Sequence, residues 1–546
     1  MARNDNLTDL LRDVAVAIRE KTNSASLINP QDFPERIAAI ETAGGQPEGT
    51  HTVQFIDVDG TILKSQYVAD GGSATPPANP TREKCQFVKW LNAYDNITRD
   101  TDVFALYRSS DGNSWYKVKA NANDRMNLTI RCDTASPVII DWGDGSSDTA
   151  TNRNSYTEFR HDYAEEFDGW VKVSSEGNYR LGSIESDGNP CVIEVVVGDK
   201  VATIGPVTAQ MFNLRSIVIP DTVKECEGYL FYNCLSLLSL VLPDGIKKIS
   251  MNKALFMTDL RYVRLPETLT EIPANMLGYS HSLQSVVIPE GVTSIGANAF
   301  QGCGSLQSIT IPASVTSIGK SAFQGCYSLQ SIVIPEGVTS IGDSAFRDCA
   351  SLQSIAIPAS VTSIGAYAFQ GCANAVFSVN VNNFAPKDSV FMYCRRLTGE
   401  LNIIADEIPH DAFAYTGITS LFCKANKTTR TTGGGAFYAC IELARVELTD
   451  IKEIGSFTFN GCTALSLAII GDTVTKIDSS AFLNCTSLAR LVVKAVTPPT
   501  LASDALRGCS KLTAIYVPDE AVEAYKAATN WIGYAAKIQP LSGFSE

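Results

Sequence analysis

"PEGVTSIGANAFQGCGSLQSITIPASVTSIGKSAFQGCYSLQSIVI", from Pro289 to Ile334, is one phrase written twice. Phe300 and Cys303 of the first copy return as Phe323 and Cys326 of the second, 23 residues later. Prolines 220, 243, 266, 289, 312, 335 and 358 keep the same interval of 23. Beyond Pro358 the step wavers: Phe369, Phe391, Phe413, Phe437, Phe459 and Phe482 lie 22 to 24 residues apart. A fixed period of this size signals a solenoid, in which each unit buries its apolar face only against its neighbours. Strand side chains alternate, so the LxxIxI segment turns Leu329, Ile332 and Ile334 inward. Pro335 cannot donate to a strand ladder and is expected to turn the chain. Ile341 then packs a second edge, Gly342 permits a bend, and Ala345 with Phe346 closes the coil as a turn or short helical segment.

Ten of the fifteen cysteines occupy one position of the repeat: Cys234, Cys303, Cys326, Cys349, Cys372, Cys394, Cys440, Cys462, Cys485 and Cys509. Two readings compete, disulfide or metal chemistry and a small buried thiol filling a tight corner. Stacked equivalents point in parallel, which is poor disulfide geometry. No base or basic neighbour recurs with them to make a thiolate. There is no CxxC and no Cys/His set with zinc spacing, and the chain has four histidines. Phe300, Cys303, Phe323, Cys326, Phe346, Cys349, Phe369 and Cys372 are therefore expected to be structural core.

The repeat resembles the BspA-type leucine-rich repeat, and the resemblance spans more than half the chain. It implies a solenoid over residues 188–515, with a C-terminal cap at 516–546, where "VPDEAVEAYKAATNWIGYAAKIQPL" leaves the pattern for a helix and a strand. The stretch "CVIEVVVGDKVATIG" before Ile217 is expected to cap the other end. Between the inward residues lie Gln284, Ser285 and Val287; Gln307, Ser308 and Thr310; Gln330, Ser331 and Val333; Gln353, Ser354 and Ala356. These stripes of amide, hydroxyl and small apolar groups form the candidate ligand face, interrupted upstream by Arg261 and Arg264. The irregular region 373–435, with "KANKTTRTTGGG", is a second candidate, because departures from a repeat often carry function.

Three modules precede the repeat. Residues 1–43 read as a helical hairpin: Leu7, Leu10, Leu11, Val14 and Ile18 hold helical spacing, and "NPQDFPERIAAI" restarts a helix. This segment resembles N-terminal segments of bacteriophage virion and tail-associated proteins, which implies docking or oligomerisation. Residues 44–50 are a linker. Residues 51–107 begin with a hairpin turning at "DVDG". "FIDVDGTIL" matches the DxDGT motif of haloacid-dehalogenase-like phosphatases, in which Asp57 is the nucleophile, Asp59 the acid/base, and both hold magnesium. That motif requires a doubly wound α/β domain, and a proline-bearing segment follows instead. Asp59-Gly60, Pro80-Thr81-Arg82, Phe87 and Trp90 resemble the internalin B-repeat, although Cys85 stands where that family usually has glycine. The resemblance implies a β-grasp-like domain. Residues 108–187, with Asp141-Trp142-Gly143-Asp144-Gly145 and a later "HDY", resemble the polycystic-kidney-disease-type Ig-like sandwich. Calcium at Asp144 and Asp148 is an alternative there to plain turn formation. The expected fold is thus multidomain and mainly β: helical hairpin, two small β domains, solenoid and cap.

A chain of 546 residues with 45% apolar and 19% charged residues is globular and multidomain. A net charge of −14 argues against nucleic-acid binding. No apolar run reaches membrane-span length. Arg12, Asp13, Arg19 and Glu20 break the N-terminal segment, so no secretory leader is visible and maturation in a reducing cytoplasm is expected. The expectation is a non-enzymatic virion surface protein of tail- or head-fibre type, assembled in the host cytoplasm. It would dock to other virion proteins through residues 1–43 and adhere through the solenoid to a host surface glycan or protein. It needs no cofactor or metal, and it is expected to be a homo-oligomer, with a trimer the common fibre arrangement. The alternative is a BspA-like adhesin on a bacterial cell surface.

Overall fold

The computed structural model describes residues 47, 49–185, 192–205, 213–227, 231, 234–250, 255, 258–378, 387–403, 408–424 and 431–545. The expected helical hairpin at 1–43 lies outside them. The chain divides into two compact units. Of the described residues, one holds those up to Gln54, with Lys64–Pro76 and Ala93–Val103; the other holds Phe55–Leu63, Pro77–Asn92 and those from Phe104 onward.

The first sheet contains β1 (Thr50–Ile56), β2 (Ile62–Ala69), β3 (Cys85–Leu91) and β4 (Thr101–Ser109), in the order β2-β1-β4-β3. The chain reverses at the DVDG turn, where Gly60 N donates to Asp57 O (2.9 Å). The β-grasp expectation needs one correction: the segment between β2 and β3 is extended and carries no helix. Prolines 76, 77 and 80 explain it, since each lacks the N–H a helix interior uses. Within the first unit this segment is tied by Ala74 N to Tyr94 O (2.6 Å).

The sandwich strands are β5 (Ser114–Ala120), β6 (Arg125–Cys132), β7 (Val138–Asp141), β8 (Ser147–Ala150), β9 (Thr157–Asp162), β10 (Phe167–Ser174) and β11 (Tyr179–Glu185). The first strands of the repeat are β12 (Val192–Val196), β13 (Val201–Ile204), β14 (Ser216–Val218), β15 (Glu225–Glu227), β16 (Ser239–Val241), β17 (Lys248–Ser250) and β18 (Tyr262–Arg264). One sheet runs β14-β12-β5-β10-β7-β8 and another β17-β15-β13-β11-β6-β9. Each therefore passes from sandwich to solenoid without a break. β12 pairs antiparallel with β5 and parallel with β14, and β11 pairs antiparallel with β6 and parallel with β13. The "CVIEVVVGDKVATIG" stretch is thus the first coil rather than its cap. The sandwich satisfies the edge that this coil would otherwise expose.

From β12 on, the coils form a β-solenoid of about 14 turns with very little helix. A typical coil has an outer strand (Ser331–Val333), a turn in which Val338 N donates to Pro335 O (3.0 Å), and a second short strand (Ser340–Ile341). Turns then carry Ala345, Phe346 and Cys349 back to Leu352. Both strand rows pair in parallel from coil to coil, as in Ser308↔Ser331 and Ile318↔Ile341. Leu329, Ile332, Ile334 and Ile341 are buried as expected. Gly342 serves close approach rather than bending: a Cβ there would stand 2.5 Å from Lys320 N of the preceding coil. The phenylalanines form a continuous stacked column from Phe300 to Phe482, with centroids 5.2 Å apart at Phe300–Phe323 and 5.5 Å at Phe346–Phe369.

At the C-terminal end the helix is short, Val522–Ala527, and Ile538–Pro540 adds one more parallel strand to Ala514–Val517. Among the described residues no helix is long and apolar enough to cross a membrane.

Candidate recognition surface

The DxDGT carboxylates are held by one guanidinium. Arg82 Nη1 donates to Asp57 Oδ2 (3.1 Å) and Asp59 Oδ2 (2.8 Å). Its Nη2 reaches Ser216 Oγ (3.2 Å) on β14 and Glu194 Oε2 (3.4 Å) on β12. The Tyr107 hydroxyl donates to Asp57 Oδ1 at 2.8 Å. Burial acts to raise the Asp59 pKa, but hydrogen bonds from Arg82 and Thr61 and the Arg82 charge together hold it below the usual carboxylate range. The arrangement fastens the hairpin tip to the first two outer strands of the repeat. Arg82 follows the prolines by two residues, and only the tertiary fold brings it to the turn.

Around this clamp lies an apolar cluster. Ile56, Val58, Leu91, Phe104, Leu106 and Tyr107 pack on Val196, Val218, Val241 and Tyr262, the outward positions of β12, β14, β16 and β18. Arg264, expected to interrupt an exposed stripe, is instead 3% exposed. It donates to Asn92 Oδ1 (3.3 Å) and Leu242 O (2.9 Å) and pairs with Asp244 (2.6 Å). Its burial is affordable because every one of these partners is hydrogen-bonding. At the other end, outward Leu467, Ile469 and Val492 pack with Tyr516, Leu541 and Phe544 of the chain terminus.

Between these covered ends the same face is open. Register runs directly from β18 into it, Tyr262↔Ser285 and Arg264↔Val287. Gln284 is exposed while Ser285 and Val287 are half-buried; Gln307, Ser308, Thr310, Gln330, Ser331, Gln353, Ser354 and Ala356 are exposed, and Val333 is 75% exposed. The stretch from Gln284 to Ala356 is uncharged and rich in hydrogen-bonding groups, while nearer the distal cover the same face carries Glu400, Arg445 and Glu447. Part of the second candidate, residues 379–386, 404–407 and 425–430, lies outside the described residues.

The cysteine ladder makes no disulfides among the described residues. Each thiol faces the coil before it: Cys326 Sγ donates to Phe300 O, Cys349 to Phe323 O and Cys372 to Phe346 O, at 3.1–3.2 Å. Burial pushes the Cys326 and Cys372 thiols up to about 12, so they stay protonated and serve as donors. This bond has no trace in the sequence beyond the fixed Phe–Cys spacing. In the sandwich, Asp148 accepts from Trp142 Nε1 (2.9 Å), and Asp144 bonds Ser146 and His161 (2.8 Å). Among the described residues no group of three or more His, Cys, Asp or Glu side chains is placed to hold a metal.

Comparison with known proteins agrees with the repeat. Similar solved structures include a leucine-rich repeat protein from Bacteroides ovatus, 22% identical, covering 67% of this chain and 96% of its own, with TM-score 0.48. A leucine-rich cell surface protein from Faecalibacterium prausnitzii is 23% identical over 57% of this chain and 93% of its own, TM-score 0.29. The T. pallidum leucine-rich repeat protein is 26% identical over 40% and 83%, TM-score 0.25. No curated protein matches the sequence. The model of the BspA-type leucine-rich repeat region matches residues 189–303, 272–398 and 406–529, more than half of the chain. The chain belongs to the BspA-type leucine-rich-repeat family.

Proposed function

We propose that this chain is a non-catalytic recognition protein of a bacterial cell surface, and that it adheres to a host glycan or protein through the open stretch of its outer β face. The observation that carries this reading is the contrast along one face. Its outward positions are largely apolar and covered at both ends, and uncharged, hydrogen-bonding and open from Gln284 to Ala356. A flat array of amides and hydroxyls suits hydrogen-bonded recognition by many weak, parallel contacts. The family favours the cell-surface reading over the virion reading, which rests on the resemblance of residues 1–43. Those residues are also what argues for self-association. The non-catalytic reading draws on Arg82, whose charge occupies the place between Asp57 and Asp59 where a phosphatase would hold magnesium.

The test is attachment of the purified full chain to host epithelial cells and mucin. Gln307→Glu, Gln330→Glu and Gln353→Glu together should weaken attachment at least tenfold while the fold persists; unchanged attachment would sink the face as the site. Recovery in phage particles and not on the producing cell's exterior would restore the virion reading. Magnesium-dependent phosphatase turnover abolished by Asp57→Asn would overturn the non-catalytic reading.

A further inference from the structure

Among the described residues, each coil turns through a left-handed residue just before its cysteine position. Gly302 (φ +71°), Gly325 (+71°), Gly371 (+77°), Gly461 (+76°) and Gly508 (+80°) take it freely. Tyr393 (+64°) and Tyr415 (+60°) take it too, in a conformation bulky side chains avoid. Tyr279 (+60°), Asp348 (+60°), Ala439 (+52°) and Asn484 (+59°) share the position, and Tyr393 and Tyr415 stand out among them as aromatic residues in two successive coils.

Their rings form a row. Tyr393 and Tyr415 stack with centroids 4.6 Å apart, and Tyr415 meets Tyr438 at 5.4 Å. Burial and then the neighbouring phenols Tyr438 and Tyr393 raise the Tyr415 pKa. Tyr393 is 36% exposed. The coil before it places Gly371 in the row, so no side chain from that position covers the first ring face. Before Gly371 stands Asp348, also left-handed (+60°), whose Oδ1 leans over Gly371: a Cβ added there would lie 2.4 Å from it. The row therefore presents, in order, a half-buried carboxylate that pairs with Arg347 Nε (3.5 Å), the glycine it leans over, and a stacked aromatic ring.

We propose that Asp348, Gly371 and Tyr393 form a saccharide subsite, with Tyr415 and Tyr438 bracing the platform ring. A pyranose has an apolar C–H face and a rim of hydroxyls. The face lies on the Tyr393 ring, and a hydroxyl donates to the Asp348 carboxylate. The ring is held in place before ligand arrives, so little rotamer entropy is lost on binding. A whole protein is the poorer occupant. Each tyrosine offers roughly 150–250 Å² in full, so the partly open row exposes on the order of 200 Å², far below the ~800 Å² per partner of a stable protein interface. The inference rests on the surface-recognition reading and names a ligand class for a different edge of the same coils.

The test uses the full chain with cellotetraose, chitotetraose, mannotetraose and choline, measured by saturation-transfer NMR and calorimetry. At least one saccharide should bind, at least tenfold more weakly to Tyr393→Gly and to Asp348→Asn. Melting temperature should hold or rise in Tyr393→Gly, because glycine suits the position. Tyr415→Phe, which keeps the ring, should retain most binding. Absence of binding by all three saccharides, equal binding to Tyr393→Gly, or binding of choline alone would each overturn the subsite. Cell attachment that persists without any saccharide binding would overturn this inference while leaving the surface-recognition reading standing.

Discussion

The outer strand of the repeat is used in two ways. In β14 its outward pair is Ser216 and Val218; in the strand Ser331–Val333 it is Ser331 and Val333, the same two residue types. Val218 is 3% exposed, packed among Ile56, Val58 and their apolar neighbours, whereas Val333 is 75% exposed. Identical local sequence thus serves as a buried interface in one place and a candidate recognition surface in another. The lesson is that an outward position in a solenoid has no fixed meaning; what lies over it decides. The surrounding residues do carry a signal. The covered strands add Val196, Val241 and Tyr262, and the distal ones Leu467, Ile469 and Val492, while the open strands add serine, threonine and alanine. Runs of outward apolar side chains on a regular sheet predict a cover.

The comparison breaks most forcefully at the clamp. Arg82→Ala leaves two carboxylates without their cation beside the hairpin, and a loss of about 3 kcal/mol is expected. Because coils stabilise mainly their neighbours, hydrogen exchange should quicken in β12 and β14 and leave Ser331–Val333 protected as before. Uniform exchange would show that the clamp does not anchor this end. The same pair sets a pH dependence. The Asp59 pKa lies below its unfolded value, so its contribution is present at neutral pH and is lost as pH falls from about 4 through the lowered folded value. Melting curves between pH 7 and pH 2 should show this acid sensitivity in the native chain and less of it in Arg82→Ala.

Val218→Ser removes a buried side chain and should cost about 2 kcal/mol, measured by urea unfolding followed at the β12 amides. In the interior that both regions share, Cys349→Ala deletes a buried thiol and its bond to Phe323 O, with an expected cost of roughly 1 kcal/mol. The native ladder thiols should resist iodoacetamide at pH 8, where burial keeps them protonated, and react once the chain is unfolded. Ready alkylation of the folded chain would contradict the buried donor geometry. Smallest of all, Val333→Ser should change stability by less than about 0.5 kcal/mol. If it matched Val218→Ser, the distinction between covered and open stretches would fail.

The repeat was legible because its physics is local and periodic. Proline at every 23rd residue, the LxxIxI alternation and the phenylalanine–cysteine pair each recur often enough to fix the strand, the turn and the core. The reading of the cysteines as packing was right about burial and silent about direction, since the acceptor is a main-chain carbonyl that belongs to every residue type. Arg264 misled because a charged residue in an outward position reads as exposed until its partners, Asn92 and Asp244, are brought to it from other parts of the chain. Gly342 misled in the opposite sense: glycine suggests a bend, whereas stacking of the preceding coil at Lys320 N is what excludes a side chain.

By itself the sequence determined the repeat, its period and its inward residues, because those follow from neighbours along the chain and from copies of the same unit. Only the tertiary structure decided which coils are covered, that Arg82 joins Asp57 and Asp59 to Glu194 and Ser216, and that Arg264 is buried against Asn92 and Asp244. Those contacts join residues from 20 to more than 100 positions apart, and each depends on side chains meeting in space rather than on any pattern that a single unit repeats.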